Sequence, residues 1–208
     1  MTSLFSALAL GLVIGAQHAF EPDHVAAVAT MLPGESSLRR AALRGAWWGL
    51  GHGTAIALIG VPLVLFGIRV PASLEGAAEF LVALMLVALG ARAIWSAWHR
   101  DKVVDSVAKN PALRSTSVGL IHGLAGSGAA VVLATADAPS RLVAIVFLLV
   151  FTLGSTLSMA AAAAIVSVPV RKVSSSQERV SWVLAASGLV SVLVGLIWAG
   201  PHVSVWMR

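Results

Sequence analysis

Between positions 17 and 24 an otherwise apolar segment carries Gln17, His18, Glu21, Asp23 and His24. Two imidazoles and two carboxylates so close together are donors for a divalent cation. Glu21 and Asp23 supply two negative charges, and imidazole nitrogen suits nickel, cobalt, zinc and copper better than magnesium or calcium. A straight helix cannot gather them, because it turns Asp23 about 140° and His24 about 240° away from His18. Pro22 supplies a break: it has no N–H, so the carbonyl of His18 loses its helical partner. A kink there lets His18, Asp23 and His24 close on one point, with the freed carbonyl turned toward a cavity or an ion. His52 lies among Gly49, Gly51 and Gly53, which allow close helix approach and are expected to bring it to the first segment. His18, Asp23, His24 and His52 are therefore the candidate metal ligands. Glu21, His122, Ser127 and Ser155 are candidates for lining a path, Glu79 reads as a paired or snorkelling glutamate before it reads as a pathway group, and His99 and His202 read as interfacial.

The elements that must position these residues follow from composition. Only 11% of the 208 residues are charged, 58% are hydrophobic and the mean hydropathy is +0.92. Soluble domains carry about 25% charged residues, so a chain this poor in charge has a bilayer as its solvent. With about 20 apolar residues needed per crossing, the sequence predicts an all-α integral membrane protein with six spans, at 4–31, 40–66, 74–98, 115–136, 141–167 and 180–199. The first is long enough to be tilted or broken. The segment 99–114, with His99, Arg100, Asp101, Lys102, Lys109, Pro111 and Arg114, is the one real linker. No segment reads as a cleaved leader, since the first apolar run has no basic flank and continues into the His/Asp segment.

Most of the 14 Lys and Arg residues fall in alternate loops: Arg39, Arg40 and Arg44; Arg100, Lys102, Lys109 and Arg114; Arg171, Lys172 and Arg179. The opposite side has Arg69, Arg141 and Arg208. Positive residues stay in the cytoplasm, so both termini are expected outside a prokaryotic-type cytoplasmic (inner) membrane. The pI of about 11.1 reads as lipid-headgroup attraction, and nucleic acid is not an expected partner. The absence of cysteine excludes disulfides, thiolate metal sites and dithiol redox chemistry.

An internal repeat organises the chain. Gly11 to His18 followed by Asp23 to Thr30 is similar to Gly119 to His122 followed by Ser127 to Thr135; Leu50, Gly51 and His52 match Leu153, Gly154 and Ser155; Ile94 and Trp95 match Ile197 and Trp198. The offset stays at about 103 to 105 residues, a regularity worth seeking before any other reading. It predicts a three-helix repeat at 1–98, the linker 99–114, and a second three-helix repeat at 115–208. Three spans per repeat make the halves oppositely oriented, the inverted arrangement of many secondary transporters, which bind near the midplane at broken helices. The repeat sets His18 and Asp23 opposite His122 and Ser127, so the metal chemistry is expected from the first half, with the second lining the path.

The segment from His18 to Val25 resembles the nickel/cobalt transporter signature His-Ala-Phe/Val-Asp-Ala-Asp-His-Ile, and Gly51, His52, Gly53 and Thr54 resemble that family's Gly-His-Ser-Thr. The likeness is to its shorter six-span branch of urease-accessory-type and nickel–cobalt-exporter-like proteins. Gln17, Glu21 and Pro22 stand where the family has arginine, aspartate and alanine. The resemblance implies that His18, Asp23, His24 and His52 recognise metal. The leading expectation is a secondary transporter of Ni²⁺ or Co²⁺. The metal is then substrate and no cofactor is permanently bound, while the ligands' need to lose protons makes proton coupling compatible. Competing readings are a metal-binding accessory or sensory subunit without transport, and a small-solute exporter. An intramembrane hydrolase around Gly126, Ser127 and Gly128 is disfavoured: no oxyanion arrangement can be read, no His-Glu-x-x-His helix is present, and no enzyme is expected.

Overall fold

Apolar runs bounded by Pro, Gly and charged residues become helices, because a bilayer leaves no partner for an unpaired backbone amide. The computed structural model describes residues 4–33, 35, 37–99, 110–136, 138–173 and 176–206. Among the described residues the regular structure is entirely helical: α1 Leu4–His18, α2 Pro22–Met31, α3 Leu38–Phe66, α4 Ala72–Trp98, α5 Pro111–Thr135, α6 Arg141–Val173 and α7 Gln177–Trp206. Five of these are long and apolar enough to cross a bilayer, six if the bent pair of α1 and α2 is counted as one span. Side chains such as Leu58, Leu142, Trp182 and Ile197 stand largely exposed, and only 22% of the apolar stretch of α7 is buried within the protein. The outer surface is thus itself apolar, as an integral membrane protein requires.

The helices begin and end where their sequences dictate. Pro111 opens α5 at a position whose amide needs no helical partner, so Pro111 to Arg114, expected in the linker, belongs to the fifth helix. The rest of that linker, 100–109, lies outside the described residues. Gly67 closes α3 in a left-handed conformation (φ 66°), its N–H reaching the Leu63 and Val64 carbonyls, a conformation that costs glycine nothing. Beyond α2, buried Glu35 accepts from Arg40 Nε at 3.0 Å and Arg44 Nε at 2.8 Å. Arg44 Nη1 also donates to the Met31 carbonyl at 2.8 Å, which ties the end of α2 to α3.

Small residues set the packing. The helices pack most extensively in four pairs: α3 with α5, α3 with α6, α1 with α6, and α4 with α7. A Cβ on Gly15 would strike the Phe151 backbone of α6, and one on Gly119 the Trp48 backbone of α3. Gly51 lies on Thr116 of α5, and Gly154 on Leu12 of α1. Gly90 lies on Gly188, and Gly195 on Ala83. The order of these contacts along each helix makes α1–α6 and α3–α5 parallel, and α3–α6 and α4–α7 antiparallel. Hydroxyls fasten the seams: Thr156 Oγ1 donates to the Gly49 carbonyl at 3.0 Å, and Ser191 Oγ to that of Leu86 at 2.8 Å. The glycines around His52 therefore serve α5 and α6, not the first span as the sequence led us to expect. The His52 side chain itself crosses to α1, at His18.

Close backbone approach leaves no room for a branched side chain. Gly15→Val and Gly119→Val should each cost about 1–3 kcal/mol through overpacking. Thermal unfolding of the detergent-purified protein should show both losses, whereas Gly200→Val, with nothing near its Cβ position, should melt close to the parent.

Candidate metal centre

Pro22 forces the first element of the site. It disfavours the helical region for the residue before it, and Glu21 is extended (φ −60°, ψ 148°). The chain bends by 57° between α1 and α2. The break is tighter than a simple kink: Phe20 N–H donates to the Gln17 carbonyl at 2.9 Å and Glu21 N–H to that of His18 at 3.1 Å. The His18 carbonyl, expected to turn free toward an ion, is thus taken by a four-residue turn. What the break delivers instead is side chains. His18 ends α1, while Asp23 and His24 lie in the first turn of α2 and are buried.

Four imidazoles converge there. His24 stacks on His122 with ring centroids 4.1 Å apart, and His18 lies edge-on to His24 at 4.4 Å. His52, fully buried near the middle of α3, stands 5.1 Å from His24 and 5.8 Å from His122. Carboxylates fix the orientation of three of the rings. A carboxylate only accepts hydrogen bonds, so the facing ring nitrogen carries the proton. His18 Nδ1–H donates to Glu21 Oε1 at 2.9 Å and His24 Nδ1–H to Asp23 Oδ1 at 2.9 Å, while His122 Nε2–H donates to Asp23 Oδ2 at 3.0 Å. Asp23 Oδ1 also accepts the His24 backbone N–H at 2.8 Å.

These bonds decide which nitrogens can hold a metal. His24 Nε2 and His122 Nδ1 are left with lone pairs, and both are buried without a hydrogen-bond partner, as is His52 Nδ1. His18 Nε2 lies 3.2 Å from His52 Nε2. Two nitrogens each ~2.0–2.1 Å from one ion stand about 2.9–3.4 Å apart at right-angled to tetrahedral geometry, so this pair fits one metal. Donor atoms of His18, His24 and His52 lie within 4.8 Å of one another, and so do those of Asp23, His24 and His122. With both oxygens engaged by histidines, Asp23 acts through the rings it orients, the arrangement by which outer carboxylates raise ligand basicity.

A cavity of about 510 Å³ opens onto this centre, lined by His18, Glu21, Asp23, His24, His52 and His122, together with Glu79 of α4 and Trp198 of α7. The structure thus brings together the four predicted ligands, Glu21 and His122. Ser127 and Ser155 are buried elsewhere: each turns its Oγ to a carbonyl of its own helix, Leu124 at 2.8 Å and Thr152 at 3.1 Å, and neither lines the cavity. Expected only beside the path, His122 instead shares Asp23 with His24. Sequence reasoning also missed Trp48, 5.5 Å from His24, and Phe151, 5.3 Å from His18. The repeat offset was the signal for both, since it pairs positions 48 and 151.

The chain is 33% identical over 178 residues to the urease accessory protein UreH of Bacillus sp. (strain TB-90), covering 80% of this chain and 78% of that protein. It is 28% and 26% identical to the Arabidopsis thaliana chloroplast proteins FOR GROWTH AND FERTILITY 1 and 2, and spans 56% of the length of each. No family model and no solved structure matches it.

Loss of an orienting carboxylate should weaken the centre without emptying it. Asp23→Asn is expected to lower Ni²⁺ or Co²⁺ affinity by about 10–100-fold, and His24→Ala to remove measurable binding. Titration calorimetry on purified protein reads both.

Proposed function

Because the chain belongs to the family of the urease accessory protein UreH, we propose that it is a secondary transporter of late first-row divalent cations, Ni²⁺ or Co²⁺, with His18, His24, His52 and His122 as the inner ligands. The observation that carries this reading is the pair of imidazole nitrogens, from α1 and α3, held 3.2 Å apart beside an open cavity. Asp23 and Glu21 neutralise the ion and set the tautomers. Imidazole favours nickel and cobalt over the hard cations, and the family likeness of the His18–His24 segment narrows the choice further.

The site's depth supports transport. His52 is the middle residue of the 29-residue α3, so it lies about 20 Å from either end at a 1.5 Å rise. A midplane site at a broken helix is the arrangement alternating access uses. The packing supports an inverted repeat of 1–98 and 115–208. Shifting each member of a glycine contact by about 103 to 105 positions turns Gly15 on Phe151 into Gly119 on Trp48, Gly154 on Leu12 into Gly51 on Thr116, and Gly90 on Gly188 into Gly195 on Ala83. Exchange pairs run parallel and self-paired helices antiparallel, as a two-fold axis in the membrane plane requires.

The same packing favours a different moving part from the one the repeat first implies. The parallel pairs α1–α6 and α3–α5 each join one half to the other, so rocking half against half would tear the tightest seams. α4 and α7 pack chiefly on each other and contribute only Glu79 and Trp198 to the cavity wall. In our reading the α4–α7 pair shifts against a four-membered frame, opening the centre to one side and then the other. Both termini face outward in this scheme, and the basic loops face the cytoplasm.

Proteoliposomes loaded with ⁶³Ni²⁺ or ⁵⁷Co²⁺ test the proposal. Wild-type protein should move metal, and His18→Ala or Asp23→Ala should reduce flux to the protein-free rate while inserting normally. Stoichiometric binding with no flux by the parent would mark it as a metal-holding accessory subunit instead. Normal flux in the two variants would remove the histidine centre from the mechanism.

A further inference from the structure

The carboxylates of α4 are chemistry that the histidine centre does not absorb. Glu75 stands in the first turn of α4 and Glu79 one turn later, and residues four apart share a helix face. Both are partly buried, although carboxylates within an apolar span are costly and are found where a bundle interior or a water-filled path receives them. Glu79 lines the cavity that holds the histidines. Glu75 lines a second cavity, of about 650 Å³, walled by residues 67–70 between α3 and α4 and by the last turns of α5.

The two cavities are neighbours along α5. Ala129 and Ala130 face the inner one, Gly128 and Val131 the outer. At the step between them the Glu75 carboxylate lies on Gly128, where any Cβ would meet its Oε1. The inner cavity ends on His24, His52 and His122, each at least nine-tenths buried and each with a ring nitrogen that has no partner. Among the described residues Arg69 is the one arginine or lysine lining either cavity, against Glu75, Glu79, Glu21 and Asp23.

We propose that Glu75 and Glu79 form an acidic relay that conducts a hydrated divalent cation from the α3–α4 end of the protein to the histidine centre. The relay rests on the transport reading and adds its route. Carboxylate oxygen holds a hydrated cation loosely, while imidazole holds nickel or cobalt more firmly once water is shed, so affinity rises along the path. Spacing of about 6 Å between the two α4 positions allows the ion to pass from one to the next. Charge lining a low-dielectric cleft raises the local cation concentration and the entry rate by about 10–1,000-fold.

The absence of native cysteine makes the route directly readable. Glu75→Cys and Ala129→Cys should react with an impermeant cationic thiol reagent added on the α3–α4 side, and Ni²⁺ should slow the reaction at Ala129→Cys. In proteoliposomes the combined Glu75→Gln and Glu79→Gln variant should show initial Ni²⁺ entry from that side slowed by about tenfold at low metal concentration. Reaction from the opposite side alone, or an unchanged entry rate in the glutamine variant, would overturn the relay. The two readings fail separately: wild-type entry in the glutamine variant with dead His18→Ala removes only the relay, whereas full flux in His18→Ala removes the centre it serves.

Discussion

The Asp23 carboxylate is the interaction on which the rest of the structure depends. It accepts one ring N–H from His24 beside it and another from His122, which lies 99 positions further along the chain. A carboxylate in a membrane interior is costly unless its lone pairs are used, and stranding a buried charged partner costs about 3–5 kcal/mol. Asp23 therefore holds α2 and α5 in one register, and the tautomers it imposes turn His24 Nε2 and His122 Nδ1 away from it. Glu21 performs the same service for His18 from the exposed edge of the break. Structure and chemistry here share the same hydrogen bonds.

That bond can form only because the surrounding helices approach to backbone contact. In lipid there is little hydrophobic drive between helices, so close packing of small residues and hydroxyl-to-carbonyl bonds must hold them together. The glycines of α3 clear both its neighbours at once: Gly51 admits α5, while Gly45 and Gly49 admit α6. His52 is thereby fixed at the centre of the frame with no exposed surface. The rings of Trp48 and Phe151 complete the dry wall around the histidines. A low-dielectric wall strengthens every ligand–ion interaction inside it.

Membrane class, span number and the donors around Pro22 were legible in the sequence, because each is local: apolar length, charge poverty, and a proline among ionisable groups. The break at Pro22 was legible too, but its hydrogen bonding was not. Whether the His18 carbonyl stays free depends on how tightly the next three residues turn. His122 was underrated for a different reason. A lone histidine among small residues carries no local sign of a partner, and its partner lies in the other half of the chain. The direction of the α3 glycines was likewise hidden, since Gly49, Gly51 and Gly53 announce close approach without naming the neighbour. Glu79 read as a paired or snorkelling residue before a pathway group, and the placement of α4 beside the cavity shows which way its helix face is turned.

In the proposed inverted repeat, a pseudosymmetric frame would carry a one-sided site. Under the offset, His18 corresponds to His122, and both keep their imidazoles. Asp23 corresponds to Ser127, His24 to Gly128 and His52 to Ser155. Two copies of the full donor set would place two carboxylates and six imidazoles around one midplane, far more than a single ion's coordination can satisfy and all needing partners in a dry interior. The second half instead carries small residues at these positions, and the Ser127 and Ser155 hydroxyls bond their own helices. At Gly128 there is no side chain at all, and the Glu75 side chain of α4 lies where one would stand. A side chain at position 128 would collide with the Glu75 carboxylate, so the glycine there is what lets that carboxylate lie on the proposed approach to the histidines.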